Sequence, residues 1–237
     1  MSPGSRTVVV TGAGGLLGRA FVAAFRDAGE RVVAVGRTWT SLVEAYGADP
    51  DVTVVAADLA DPAAVLRLAA EHAADAGVLV NNAGMTSVRT PLLDIEPDVF
   101  DQMVAVNLRA TYLLTREFGR AWRDRGEGGA IVNLSSPGAV QAHFTQSVYD
   151  ATKAGVAAFT RASAVELGQH GIRVNCLQPG SVNCDDTEAA GMPLRRAVRP
   201  EEVAAAAVFL ASPAASAITG VSLPVDGGVL AQLRVRL

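Results

Sequence analysis

The chain has 237 residues, 50% of them hydrophobic, 19% charged and 5% aromatic, with a formal net charge of −4. This composition excludes fibrous and disordered classes and suits one α/β domain whose central strands are covered by helices on both faces. With no run of Lys or Arg and no apolar stretch as long as a membrane span, neither nucleic acid nor a membrane is expected as a partner.

The first residues, Met1 to Arg6, lack an apolar signal core and run directly into a strand-like segment, so a cytoplasmic location is expected. Strands are predicted at Thr7 to Val10, Arg31 to Val35, Val52 to Ala57, Val78 to Val80, Ala130 to Leu134, Ile172 to Leu177 and Val221 to Val225. They alternate with longer helical stretches, the pattern of βαβ units and a mostly parallel sheet of about seven strands in a single domain spanning 1–237. The first helix carries an apolar stripe at Leu17, Ala20, Phe21, Ala24, Phe25 and Ala28 and stops before Gly29.

Between the first strand and that helix lies Thr11-Gly12-Ala13-Gly14-Gly15-Leu16-Leu17-Gly18. Glycines let the backbone turn tightly and approach a pyrophosphate at the helix N-terminus. Alone, the turn could equally be a bare strand-to-helix connection; a strand before it and a helix after it are the context that a dinucleotide requires. At the end of the second strand, where an acidic residue would accept hydrogen bonds from a free ribose 2′-hydroxyl, the sequence reads Val35-Gly36-Arg37-Thr38. The missing carboxylate and the guanidinium of Arg37 favour a 2′-phosphate, hence NADP(H) over NAD(H), unless Arg37 is simply a solvated surface residue.

A single helix is predicted over Asp98 to Trp122, with Asn107 inside its apolar stripe of Phe100, Met103, Val104, Leu108 and Thr111. A buried amide needs partners; Asn107 could bond to a neighbouring backbone carbonyl or hold a water in a proton path. The fifth strand ends in Ser135-Ser136, and Tyr149-Asp150-Ala151-Thr152-Lys153 follows. Positions four apart share a helix face, so Lys153 can lie near the Tyr149 phenol, and a nearby cation would lower the phenol's pKa toward the range useful in acid–base chemistry. Adjacent strand residues face opposite ways, so one serine of the pair can point at the tyrosine. The segment 183–200, with two prolines and an acidic cluster at Asp185, Asp186 and Glu188, is predicted as a loop over the substrate. The two cysteines, Cys176 and Cys184, suggest neither a disulfide framework nor a zinc site, and no metal is expected.

With the glycine turn, buried asparagine, serine and Tyr-x-x-x-Lys in this order, the chain resembles the short-chain dehydrogenase/reductase family in its compact single-domain branch, including 3-oxoacyl carrier-protein reductases. Asp58-Leu59, Asn81-Asn82-Ala83-Gly84, Ile131 to Ser136, Arg173-Val174-Asn175, Pro179-Gly180, Arg199 to Val203 and Val225 to Gly228 extend the likeness over nearly the whole length. The resemblance implies a Rossmann-type fold and an NADP(H)-dependent oxidoreductase that interconverts a ketone and a secondary alcohol. It implies that Ser136 holds the substrate oxygen and Tyr149 moves the proton. Lys153 would depress the tyrosine pKa and bind the nicotinamide ribose, and Asn107 would hold a relay water. Gly12, Gly14, Gly15, Leu17, Gly18, Arg37, Thr38, Asp58, Leu59, Asn82, Ala83, Gly84, Pro179, Gly180 and Val182 would bind the cofactor, and a homotetramer or dimer is expected.

Three positions depart from the family pattern: Leu16 replaces a glycine, Gly15 stands where NADP(H) members often carry a basic residue, and Cys184 stands where a threonine is usual. His143, Phe144 and Gln146, between Ser136 and Tyr149, are candidate substrate contacts. The alternative activity is reduction of a 3-oxoacyl group on an acyl carrier protein. Against it stand Glu127 and His170, expected near the cleft rim, where docking of an acidic carrier would call for basic residues. An alternative of another class is a catalytically idle cofactor sensor or partner subunit, for which loss of Tyr149 or Lys153 would be the mark.

Overall fold

The computed structural model describes residues 6–85, 89–183 and 191–232. Seven strands form one parallel sheet: β1 (Thr7–Thr11), β2 (Arg31–Gly36), β3 (Val52–Ala56), β4 (Ala76–Asn81), β5 (Gly129–Leu134), β6 (Ile172–Pro179) and β7 (Ser222–Val225). Their order is β3-β2-β1-β4-β5-β6-β7, so the winding reverses between β1 and β4. In such a sheet a crevice opens at the C-terminal ends of the strands where the order reverses.

Helices α1 (Leu16–Asp27), α2 (Trp39–Tyr46), α3 (Pro62–His72), α4 (Pro97–Val104), α5 (Ala110–Arg125), α6 (Ser147–Leu167) and α7 (Pro200–Ala211) make the crossovers. Their starts follow local chemistry. Asp61 accepts the backbone N–H groups of Ala63 and Ala64 ahead of α3, and Glu202 reaches back to the Arg199 N–H at the head of α7. Gly126, at φ 68°, ends α5 in the left-handed conformation that glycine adopts without penalty.

The core lies in two layers. Val8 and Val10 face α1 and α7, packing with Phe21, Phe25, Val203, Ala207 and Leu210; Val9, Leu79 and Ile131 face α3 and α5, packing with Leu68, Leu114, Phe118 and Trp122. Burial on both faces explains why the strands read as continuous apolar runs and not as alternating ones.

Two expectations are modified. The helix expected over Asp98 to Trp122 is two helices joined by a π turn, Ala105–Arg109, and α5 runs on to Arg125. A π turn inserts a residue into the helical ladder and re-aims a side chain; here the residue at its centre is Asn107. In the expected loop 183–200, the described end is pinned to the sheet side. Val198 donates its N–H to the Ser181 carbonyl and accepts from Asn183 N–H, while Leu194 donates to Gly227. Cys184 and the cluster Asp185, Asp186 and Glu188 lie outside the described residues. Among the described residues no helix is long and apolar enough to cross a membrane.

Candidate active site

A cleft of about 750 Å³ opens at the switch between β1 and β4. Its near wall is the glycine turn. Gly12 takes φ +66°, and a Cβ there would press on the Ala83 backbone; a Cβ on Gly18 would collide with the Gly12 carbonyl oxygen, so α1 can start this close to β1 only with glycine at 18. The Tyr46 hydroxyl of α2 donates to the Ala13 carbonyl at 2.7 Å, and Arg19 Nε to the Gly14 carbonyl at 3.1 Å, holding the turn from outside. Thr11 Oγ1 accepts the N–H groups of both Asn82 and Ala83 at 3.0 Å, and Asn82 Nδ2 donates to the Thr11 carbonyl at 2.8 Å. These bonds lock the end of β1 to the end of β4 under the cleft floor.

Gly15, the N-cap of α1, offers no side-chain cap, and the first turn contains no acidic residue. The amides of Leu16, Leu17 and Gly18 therefore meet the cleft with their partial positive charge uncompensated, a setting for an anionic group. Beyond them Arg37, Thr38 and Ser41 line the cleft. Arg37 is exposed, and no carboxylate closes β2. These features fit the pyrophosphate and ribose of a nicotinamide dinucleotide. Asp58, Leu59, Gly84, Pro179, Gly180 and Val182 line the same cleft, as do Asn82 and Ala83, so all the expected cofactor residues meet in one space.

At the other end of the cleft lie Tyr149 and Lys153, on one face of α6. Lys153 is 6% exposed; its ammonium donates to the Leu134 carbonyl at 2.8 Å and sits 5.7 Å from the centre of the Tyr149 ring. Ser135 turns away from the tyrosine and donates to the Lys153 carbonyl at 2.8 Å, tying α6 to β5. Ser136, in extended backbone just past β5, acts on the Tyr149 phenol by lowering its pKa, and its Oγ accepts the Gly138 N–H at 3.2 Å; Ser135, and not Ser136, is among the residues lining the cleft. A buried ladder braces this junction: Asn81 Nδ2 donates to Asn133 Oδ1, and Asn133 Nδ2 to Thr160 Oγ1 of α6, each at 2.9 Å.

Asn107 is 1% exposed. Its Oδ1 accepts the Met85 N–H at 2.7 Å, and its Nδ2 donates to the Met85 carbonyl at 3.2 Å and to Thr152 Oγ1 at 3.1 Å. The side chain thus clips Met85, just after Gly84, to the helix of Tyr149. Of the two roles open from sequence, the bond to a neighbouring backbone is the one these contacts display.

Burial governs the electrostatics. The Tyr149 phenol is pushed above its ordinary value, chiefly by desolvation and further by the Asp150 charge, against a lowering from Ser136. Lys153 is lowered by burial to about 8. The expected depression of the phenol by Lys153 is corrected in this arrangement: the ammonium spends a donor on Leu134, and desolvation, the largest effect on the phenol, raises its pKa.

The expected substrate contacts are placed differently from one another. Phe144 is 93% exposed, His143 is bonded to Asp150, and Gln146 stands at the N-cap of α6, its backbone carbonyl accepting the Asp150 N–H and its side chain making no cap bond. Glu127 precedes β5, lining a separate cavity at the N-terminal ends of the strands with Arg125, and His170 precedes β6 at the same edge. Neither reaches the cleft rim, because the cleft is at the opposite ends of these parallel strands. Sequence reasoning missed Ser41, Leu42 and Tyr46, since α2 was not read as a distinct helix; it also missed Met85 and Val106, which line the cleft by virtue of the π turn. Among the described residues no group of three His, Cys, Asp or Glu side chains gathers as a metal site.

A family model described as Enoyl-(Acyl carrier protein) reductase matches residues 12–230. An L-xylulose reductase of Mesocricetus auratus is 38% identical over 95% of this chain and 96% of its own length. The Carbonyl reductase [NADPH] 2 of Sus scrofa is 36% identical over 94% of this chain and 96% of its own. The crystal structure of a 3-ketoacyl-(acyl-carrier-protein) reductase from Brucella melitensis, complexed with NADH, superposes with a TM-score of 0.89 at 33% identity, covering 95% of this chain and 98% of that one.

Proposed function

The chain belongs to the short-chain dehydrogenase/reductase family, and from that premise we propose that it is an NADP(H)-dependent reductase of small ketones, working reversibly on the matching secondary alcohols. The observation that carries this reading is continuity: one cleft has an anion-binding helix terminus at one end and the Tyr149–Lys153 pair at the other.

When bound, the nicotinamide supplies the hydride donor or acceptor. The α1 amides take the pyrophosphate, and Arg37, aided by Thr38 and Ser41, takes the 2′-phosphate. Asp58 and Leu59 meet the adenine, Asn82, Ala83 and Gly84 line the middle, and Pro179, Gly180 and Val182 hold the carboxamide end. Lys153 binds the nicotinamide ribose. Ser136 donates a hydrogen bond to the substrate carbonyl oxygen. Tyr149, a phenol and so protonated at neutral pH, gives its phenolic proton to that oxygen as negative charge develops, and takes a proton back in the reverse direction. Asn107, by fixing Met85 against α6, keeps the cleft wall and the tyrosine's helix in register.

The Sus scrofa relative's name carries NADPH and the Brucella structure holds NADH, so preference must come from this chain's own residues. Arg37→Asp is expected to weaken NADPH binding by about 10- to 100-fold, the worth of one charge-assisted hydrogen-bonding group, and to leave NADH binding equal or better. An unchanged NADPH:NADH ratio would remove Arg37 as the selector. For substrate, ketoses come first in a panel of ketones, quinones and 3-oxoacyl thioesters, since the 38% identical relative is an L-xylulose reductase. Reduction of a 3-oxoacyl group is the second reading, favoured by the Brucella enzyme's likeness and no longer opposed by Glu127 and His170. An idle sensor would have no need of both Tyr149 and Lys153. The enzyme is proposed to act in the cytoplasm as a dimer or tetramer, for which exposed Tyr112 of α5 and Val165 of α6 offer apolar surface.

A further inference from the structure

Between Ser136 and the start of α6 at Ser147 the chain makes a loop whose one helical piece is the single turn Pro137–Ala139. Its far side is held by one carboxylate. Asp150 is 7% exposed; its Oδ2 accepts the His143 N–H at 2.7 Å and its Oδ1 lies 2.7 Å from His143 Nδ1. Gly138 packs directly against both groups: a Cβ there would run into Asp150 Oδ1 and stand 2.7 Å from His143 Nδ1. The Gly138 N–H in turn donates to Ser136 Oγ at 3.2 Å. The loop also stores strain, since Thr145 holds φ 63° without being a glycine, and such a conformation persists only where surrounding contacts over-determine it. A continuous set of contacts thus runs from Ser136 through Gly138 and His143 to Asp150, the residue next to Tyr149.

We propose that Asp150 and His143 form a positioning pair that fixes the Ser136 hydroxyl beside the Tyr149 phenol and thereby sets the seat of the substrate oxygen. The proposal rests on the reading of Ser136 and Tyr149 as the catalytic residues. The carboxylate has a second effect. The groups facing the phenol are Lys153, Ser136 and Asp150, with His143 behind the last, and the Asp150 charge raises the energy of the phenolate. A pair that only braced the fold would not act on the tyrosine's proton.

The test uses the full chain with NADPH and compares Asp150→Ala, Asp150→Asn, Gly138→Ala and Tyr149→Phe. None of Gly138, His143 and Asp150 lines the dinucleotide cleft, so NADPH Kd should stay within about twofold, while Asp150→Ala and Gly138→Ala should lower kcat/KM by about 100-fold, the cost of a displacement near 1 Å. Asn can still accept the His143 N–H and can donate to Nδ1, so Asp150→Asn should recover most of that loss. It should also shift the ionisation of Tyr149 to lower pH, read without substrate as the tyrosinate absorbance that Tyr149→Phe removes from the chain's three tyrosines. Wild-type kcat/KM in Asp150→Ala, or an unmoved Tyr149 titration in Asp150→Asn, would overturn the proposal while leaving the reading intact. Retained turnover in Tyr149→Phe would overturn the reading and the proposal together.

Discussion

Lys153 is charged, buried and one turn from a tyrosine whose own charged form is disfavoured, which makes it a cost to the fold as well as a tool. Its pKa falls from the ordinary 10.5 to about 8. At about 1.4 kcal/mol per tenfold in proton affinity, keeping the ammonium at neutral pH costs stability on the order of 3 kcal/mol. The sign follows from linkage: between about 8 and 10.5 the unfolded chain holds the proton that the folded chain has lost, so this lysine's contribution to stability rises with pH across that window. Lys153→Met should remove that rise and hold or raise the neutral-pH Tm, despite the lost bond to Leu134, while reducing turnover at least about 100-fold. Denaturant unfolding at neutral and alkaline pH checks it; a variant that keeps the wild-type pH slope would assign the slope to another group. At this scale the sequence was informative about identity and silent about environment. Tyr149 and Lys153 were legible as a pair from spacing, and Ser136 only through the family likeness, but the direction of the tyrosine's pKa depends on how much water the fold leaves at the phenol, which spacing does not encode.

Among the elements, the glycine turn and the π turn build the cleft in different ways. The turn was legible because its requirement is local: Gly12 needs a positive φ and Gly18 needs no side chain, and both needs are met by residue type. Gly18→Ala places a methyl group against the Gly12 carbonyl and Ala13, so a stability loss of about 1 to 3 kcal/mol is expected, together with loss of NADPH binding as α1 is pushed off the anion site. Thermal melting with and without NADPH measures both, and a Gly18→Ala protein with wild-type NADPH affinity would show that the turn does not hold the pyrophosphate. The π turn was not legible. Residues 98–122 carry an ordinary helical period, and the extra residue answers to a tertiary demand, the bonds of Asn107 to Met85 and Thr152. Helix α2 escaped for a related reason: its eight residues carry one buried side chain, Leu42, too little for a periodic stripe.

For the whole molecule, the strand order settles what chain order alone left open. The likeness of motifs named candidate binding residues; the reversal between β1 and β4 explains why segments as distant as Gly12, Asp58, Asn82, Lys153 and Pro179 share one cleft. It also explains why Glu127 and His170, which precede their strands, are at the other end, a distinction that requires knowing which strand edge faces the cleft. The central claim joins these scales: a dinucleotide held by the switch-point cleft meets a proton donor at Tyr149. The measurement that tests it most directly follows NADPH absorbance with a ketone that the wild-type protein reduces, for wild type and Tyr149→Phe, beside NADPH titrations of both. The account predicts NADPH affinity within about twofold in the variant and turnover lower by roughly 100- to 10,000-fold, the usual worth of a general acid. Turnover by Tyr149→Phe near the wild-type rate, with NADPH still bound, would contradict it.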